Sequence, residues 1–503
     1  MRSYYIFPIK ESAPMAVIGI YEGEKKVEEI DICLGKPYDF LSWIDVTKYS
    51  SEKLHLKVEK GDADLELIYL SELKPPRVGN HPLIHYTPAV GWMNDPNGLV
   101  YSDGKYHICF QHNPYATIWG NMTWTHAATK DFIHYTEETK LLRPGKDGPI
   151  FSGTAIKREN DIYYFYTVGT GNNAWSEKKE KINIQKIAIW SEELEYPKEY
   201  GTINLMINSK EARDPKVFFS KENQCYYLIL YCKQFEFRMY VSENLDEWNE
   251  VQRIVIDGMW ECPDIFTLQD QFGKSYQIFW SADGYYVVGH LCKNHFINTG
   301  NIKSAYQCNT SESVRYYAAQ TFSNMGKRVL QLAWIQSEHH EEFCYTGEMS
   351  LPVEISLHTE EEEQRLCFHP ANEIEKLRRE YVSFDLKNMQ SGMELVKNSD
   401  AAIELIINLD SDRGLFVLNL GGTLLRIDIG KRVIQFGSKE FEYLEQEIKF
   451  QIFVDNDIVE LFSGTGFIYC VEKTNGCRID IKKTTIKSGT LELYRLAAIH
   501  CSD

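Results

Sequence analysis

Three carboxylic acids stand out by their settings. Asp95 lies in Trp92-Met93-Asn94-Asp95-Pro96-Asn97-Gly98, Asp214 in Arg213-Asp214-Pro215, and Glu261 in Trp260-Glu261-Cys262-Pro263-Asp264. A fourth motif, Phe151-Ser152-Gly153, carries a hydroxyl in place of an acid. Two carboxyl groups flanking a glycosidic bond are the usual equipment for glycoside cleavage. One is ionised and attacks the anomeric carbon, and the other is protonated and gives its proton to the leaving oxygen. Clustering divides these roles, because neighbouring acids cannot all ionise cheaply and at least one pKa must rise. Arg213 is expected to keep Asp214 ionised, so that Asp214 can hold sugar hydroxyls that gain acidity as the ring becomes cationic. Trp92, Trp119 and Trp260 offer flat faces to close a pocket over a sugar. Each motif alone has an ordinary account: Asp-Pro pairs open turns, Glu261 fits a strand edge, and Ser152-Gly153 fits a tight turn. Their common phase with a repeat is what joins them.

The repeat is a turn followed by an aromatic or aliphatic strand. It occurs at Asp103-Gly104-Lys105-Tyr106, Glu159-Asn160-Asp161-Ile162, Glu222-Asn223-Gln224-Cys225, Phe272-Gly273-Lys274-Ser275 and Met325-Gly326-Lys327-Arg328. The turn centres fall near 104, 160, 223, 273 and 326, spaced by 50–63 residues. Repeats of this kind in all-β sequence point to propeller blades of four strands, with the extra length in loops. The offsets from Asp95, Ser152, Asp214 and Glu261 to the first four centres are 9, 8, 9 and 12. In a propeller the first strand of each blade lines the central channel. A near-constant offset therefore puts each motif near the start of an inner strand and brings the three acids into one funnel.

The rest of the chain agrees with an all-β fold. Aromatic residues make up 13% of the sequence, a usage that favours strands. Periodicity of 3.6 is almost absent, and one stretch, Ala371 to Glu380, reads as about three helical turns. Alternation in Ile403-Glu404-Leu405-Ile406-Ile407 and Leu424-Leu425-Arg426-Ile427-Asp428-Ile429 suggests a β-sandwich. The acidic run Glu360-Glu361-Glu362-Glu363 reads as a solvated face. The expected organisation is a small N-terminal β-domain (1–78), a linker around Lys74 to Asn80, a five-bladed β-propeller (79–355), and a linker helix or turn with a C-terminal β-sandwich (356–503).

Lys and Arg total 54 against 72 Asp and Glu, for a net charge of −18. Such a surface repels phosphate backbones and anionic lipid, so neither nucleic acid nor membrane is an expected partner. No apolar run reaches the roughly 18 residues a span needs, and the first residues lack an apolar signal segment, so a cytoplasmic protein is expected. The 12 Cys are scattered without a Cys-x-x-Cys pair and read as buried reduced thiols. His107, His112, His126 and His134 match no ligand spacing and are expected to line strands.

At these motifs the sequence resembles glycoside hydrolase family 32, the invertase, inulinase and levanase family, over roughly residues 79–500. Trp92 to Gly98 looks like the family's nucleophile signature. Tyr106-His107-Ile108-Cys109-Phe110-Gln111-His112-Asn113-Pro114 and Trp119-Gly120-Asn121-Met122-Thr123-Trp124-Thr125-His126-Ala127 are similar to the segments that follow it, with Thr125 where Gly is usual. The resemblance implies a five-bladed propeller with a C-terminal sandwich, and retaining hydrolysis of terminal β-D-fructofuranosyl residues. It implies that Asp95 is the nucleophile, Glu261 the general acid/base and Asp214 the stabiliser of the transition state. It also implies that Trp92, Asn94, Gln111, Trp119, Phe151, Ser152, Arg213 and Trp334 line the fructose pocket. Val454 to Phe462 looks like a recurring strand pair of the sandwich, and the first 75 residues like an extra β-domain of some bacterial members, expected to pack on the propeller. Two segments depart. Arg315-Tyr316-Tyr317-Ala318 stands where Asp-Phe-Tyr-Ala is frequent, placing a cation near the leaving-group side, and Leu351-Pro352-Val353-Glu354 replaces Leu-Pro-Arg.

The expected activity is an exo-acting β-fructofuranosidase on sucrose or short fructo-oligosaccharides of inulin or levan type, without metal or organic cofactor. Two alternatives use the same residues: a fructosyltransferase sharing the fructosyl-enzyme intermediate, and a non-catalytic fructan-binding protein. Arg315 and His112 are the residues placed to contact a phosphate were sucrose 6-phosphate the substrate; plain sucrose ranks first, since no basic cluster is visible. Oligomeric state stays open, a dimer being one option.

Overall fold

In the computed structural model of the chain, which describes residues 2–136, 138–191, 194, 196–205, 207, 209–305, 316–336, 343–397, 400–443 and 448–502, each of the five turns joins the first and second strands of one antiparallel sheet. The inner strands are Gly91–Ser102, Ile150–Arg158, Arg213–Ser220, Asp264–Gln269 and Tyr316–Thr321. The first turn is the two-residue Asp103-Gly104, with φ of 52° and 74°. Positive φ at both centres matches the right-handed twist of the flanking strands. Blades two and three are simple four-stranded meanders, and blade four adds one short strand at Lys303–Ser304.

Blade five is completed by the hairpin Val353–Glu360 and Glu363–Pro370. The expected propeller limit at 355 falls inside the first of these strands, so the sheet runs on to Pro370. The acidic run forms the tip of that hairpin, with Glu361 and Glu362 at positive φ and exposed. Blade one closes the ring. Tyr345–Thr346 pairs in parallel with Gly91 and Trp92 at its inner edge, and His500–Cys501 pairs in parallel with His134–Tyr135 at its outer edge.

The aromatic excess fills the layers between blades. Trp124, Trp280, Tyr164, Tyr227 and Tyr231 are fully buried. Each such ring removes about 200 Å² from water, a contribution of about 5 kcal/mol. Two further units flank the ring. At the N-terminus two three-stranded sheets enclose Phe7, Ile18, Ile20, Ile30 and Ile32, and this core continues into Val90 and Tyr115 of the propeller. At the C-terminus two six-stranded sheets form the sandwich.

The strand pair around Val454 to Phe462 is a hairpin, Ile448–Asp455 with Ile458–Ser463. Its acids tie the sandwich to the propeller. Asp455 accepts from the backbone N–H groups of Leu83, Ile84 and His85, and the His85 ring lies 2.9 Å from Asp455 and 3.1 Å from Glu460, all fully buried.

Two expectations need correction. Ala371 to Glu380 is not a three-turn helix: Asn372–Leu377 is a 3₁₀ segment and Arg378–Asp385 a strand. Its buried residues, Ile374 and Leu377, are three apart, the period of a 3₁₀ turn. Ala371 gives no side-chain cap, and Arg378 onward finds backbone partners on Gly489–Leu496. The described cysteines are all free thiols, but Cys292 is exposed and Cys33, Cys344, Cys477 and Cys501 are half-buried.

Candidate active site

The inner strands are irregular where the motifs lie. In blades one, two, three and five the pairing register slips between Met93 and Pro96, Phe151 and Gly153, Arg213 and Lys216, and Tyr317 and Gln320. The skipped residues are Asn94-Asp95, Ser152, Asp214-Pro215 and Ala318-Ala319. A bulge frees a residue from the ladder and re-aims its side chain, here toward the axis. The distortion constrains sequence: a Cβ at Gly153 would stand 1.9 Å from the Phe165 carbonyl oxygen. Asp214 and Ala318 take left-handed φ of 62° and 51°, unfavourable by about 1 kcal/mol or more each. Both are held by donated backbone bonds, Asp214 N–H to Thr167 Oγ1 at 3.1 Å and Ala318 N–H to the Ala282 carbonyl at 2.8 Å. Glu261 differs. It precedes its inner strand, in a turn where Glu261 and Cys262 have φ of 22° and 41°, which accounts for its longer offset from the turn.

The three acids meet. The Cys262 thiol lies 3.7 Å from Asp95 Oδ2 and 3.5 Å from Asp214 Oδ2, and the Cys262 N–H donates to the latter at 3.2 Å. Glu261 is gripped at both oxygens. Arg213 Nε and Nη2 donate to Oε2 at 3.2 and 2.5 Å, and the Tyr317 hydroxyl donates to Oε1 at 2.6 Å. Arg213 was expected on Asp214, yet its guanidinium stands 3.6 Å from Asp214 Oδ2 and spends its hydrogen bonds on Glu261 and the Glu211 carbonyl. Burial pushes the Asp214 carboxyl up to about 7, with the Arg213 charge opposing and Glu261 and Asp95 adding to the rise.

Asp95 ends a one-way chain of donors. Trp92 Nε1–H donates to Asn94 Oδ1 (2.8 Å), Asn94 Nδ2–H to Gln111 Oε1 (3.0 Å), Gln111 Nε2–H to Ser152 Oγ (2.9 Å), and the Ser152 hydroxyl to Asp95 Oδ2 (2.5 Å). Every member is committed as a donor toward the next, so the last proton points at the carboxylate. Burial raises the Asp95 pKa, the Ser152 and Asn94 bonds pull it back, and the Glu261 charge pushes it up again.

Other buried polar groups of the inner strands pair with one another. Lys216 Nζ pairs with Asp264 Oδ1 at 2.7 Å, Asp264 Oδ2 accepts the Thr321 N–H at 2.6 Å, and Gln320 donates to the Gly153 carbonyl at 3.2 Å, all among buried residues. The rim of the funnel is aromatic: Trp92 meets Trp334 edge-on at 5.7 Å, Trp334 meets Tyr317 at 6.3 Å, and Trp119 tilts against Phe151 at 6.1 Å. Trp119 is 52% exposed. Trp260 leans on Tyr231 at 5.5 Å, a ring that also carries the Arg213 guanidinium on its face.

Residues 85–370 match the glycosyl hydrolases family 32 N-terminal domain. The chain belongs to glycosyl hydrolase family 32. It is 27% identical to a sucrose-6-phosphate hydrolase of Escherichia coli over 78% of this chain and 88% of that protein. It is 29% identical to a levanase of Bacillus subtilis over 59% of this chain and 48% of the levanase, so the chain spans about half the length of that relative. In fold, it aligns with an exo-inulinase from Aspergillus awamori at a TM-score of 0.71 and 20% identity, covering 83% of this chain and 98% of that one. A family 32 β-fructofuranosidase from Bombyx mori aligns at 0.70 and 21%, covering 84% and 95%.

Sequence reasoning brought the three acids together but gave no part to Tyr317, Thr167 or the Cys262 thiol. Tyr317 occupies in blade five the place that the motifs occupy elsewhere, so the phase of the repeat was the available signal. Thr167 lies on a second strand, where no motif points. His112 is no phosphate ligand: it is buried, bonded to the Val90 carbonyl at 2.8 Å and to Thr125 at 2.7 Å. Arg315 lies outside the described residues.

Proposed function

We propose that this family 32 enzyme is a retaining, exo-acting β-fructofuranosidase whose substrates are sucrose and short neutral fructo-oligosaccharides. Asp95 attacks the anomeric C2 of a terminal fructosyl unit while Glu261 gives a proton to the leaving oxygen. The C2–O bond breaks as the Asp95 ester forms. Glu261 then takes a proton from water, which displaces Asp95 and releases fructose. Asp214 accepts hydrogen bonds from ring hydroxyls that sharpen as positive charge develops at C2.

The observation that carries this reading is the donor chain from Trp92 to Ser152 ending on Asp95, beside a Glu261 held at both oxygens. It is what a nucleophile needs: an acceptor oxygen fixed in place, with the Ser152 and Asn94 bonds opposing the rise that burial gives its pKa. In support of a neutral leaving group, Arg213, the cation found beside the acids among the described residues, is already engaged by Glu261. The test is mass-spectrometric trapping of a fructosyl adduct on Asp95. Fructose release that survives in Asp95→Asn refutes the mechanism.

A further inference from the structure

Beside the funnel, between the N-terminal unit and blade one, lies a cavity of about 260 Å³. Its wall includes Met15, Asp31, Ile118, Trp119, Asn121 and Asn172. Three of these are large apolar side chains left open to solvent: Met15 is 57% exposed, Ile118 57% and Trp119 52%. They come from two separate units, and the same Trp119 leans on Phe151, the neighbour of Ser152. The cavity therefore shares Trp119 with the catalytic rim.

The N-terminal unit also fixes the loop that carries Trp119. Asn121 Oδ1 accepts the Asp31 N–H at 2.9 Å and Asn121 Nδ2 donates to the Asp31 carbonyl at 2.8 Å. Glu11 accepts from the Thr117 N–H at 2.6 Å and from its hydroxyl at 2.8 Å, and Ser42 Oγ donates to the Pro114 carbonyl at 2.5 Å. An exposed tryptophan held this way is a preformed platform, which lowers the ordering entropy lost on binding.

We propose that this cavity is a binding subsite for the sugar units beyond the one attached to the scissile bond, built jointly by the N-terminal unit and blade one. Trp119, Ile118 and Met15 supply the apolar surface for a ring face, and the Asp31 carboxylate accepts sugar hydroxyls. The cavity wall carries acids, Glu29 and Asp31, and no lysine or arginine among its described residues. Neutral polyols fit this lining and phosphate esters do not. The inference rests on the fructosidase reading for the identity of the sugar, and it gives the N-terminal unit a part in choosing chain length.

Met15→Trp, which fills the cavity from the N-terminal side, and Asp31→Asn are compared with the full-length protein on sucrose and on a ladder of fructo-oligosaccharides. The expected result is a kcat/KM on sucrose that holds within about twofold and a value on the longer substrates that falls about tenfold, the size of losing one hydrogen bond to a charged group. Equal effects at every length, or none, overturn the subsite. Calorimetric titration of Asp95→Asn, with and without Met15→Trp, reads the cavity without turnover. Oligosaccharide binding weakened by Met15→Trp with no fructose released by the unmodified enzyme would sink the fructosidase reading and leave the subsite standing. Fructose release with oligosaccharide binding indifferent to Met15→Trp would sink the subsite alone.

Discussion

Ser152→Ala isolates the last link of the donor chain. The Ser152 hydroxyl reaches Asp95 Oδ2 at 2.5 Å, a short contact of the charge-assisted kind. A hydrogen bond to a charged group is worth about 1.5–3 kcal/mol, and one pKa unit corresponds to about 1.4 kcal/mol. This bond lowers a carboxyl that burial already holds above its usual range. Removing it is therefore expected to raise the Asp95 pKa further. The acid limb of kcat/KM, which reports the free enzyme, should move up on sucrose. At a pH below the wild-type limb the variant should lose about ten- to a hundredfold, and at the alkaline end it should come within a few fold of wild type. A loss of the same size at every pH would refute the reasoning, because it would mean that Ser152 acts by holding substrate and not by setting the charge of Asp95.

Other perturbations follow from the same geometry. Tyr317→Phe removes the donor to Glu261 Oε1 and is expected to lower kcat by about ten- to a hundredfold; steady-state kinetics with kcat unchanged would remove Tyr317 from the site. Asp214 has its folded pKa raised to about 7, chiefly by burial, so its contribution to stability is full below about 4 and is lost as pH rises through about 7. Asp214→Asn should abolish fructose release yet gain melting temperature relative to wild type as pH climbs from 4 to 8, and a pH-independent gap would contradict this. For His85, burial pulls the pKa down but the bonds to Asp455 and Glu460 outweigh it and raise it to about 9. Its stabilisation is then present below about 6.5 and lost as pH rises through about 9. His85→Ala removes the cation between two buried acids and should lower unfolding free energy in urea by about 3–5 kcal/mol at neutral pH; a change under 1 kcal/mol would refute that account.

How much of this was legible in the residues themselves differs by feature. The five turns could be read because Asp103-Gly104, Gly273 and Gly326 mark the chain where φ must be positive, and because a repeat puts similar residues at similar phase. The same phase gathered Asp95, Ser152 and Asp214. Glu261 fell three residues out of step, since its turn lies ahead of the strand and not within it, and only the Trp-Glu-Cys-Pro setting kept it in view. The pairing of Arg213 was half legible: adjacency in sequence suggested Asp214, which does lie 3.6 Å from the guanidinium, but the hydrogen bonds go to Glu261, which comes from the next blade. The region after 371 misled because Ile374 and Leu377 fit either helical period, and the backbone partners that decided the matter lie more than a hundred residues away.

The parallel pairing of His500–Cys501 with the outer strand of blade one, extended by the His500 N–H to the Ile133 carbonyl and the Ser502 N–H to the Tyr135 carbonyl, has a consequence for biosynthesis. The blade that begins first on the ribosome keeps an unsatisfied margin until residue 502 has emerged, after every other sheet has been made. A nascent chain in that condition presents a bare strand border to its neighbours on a polysome.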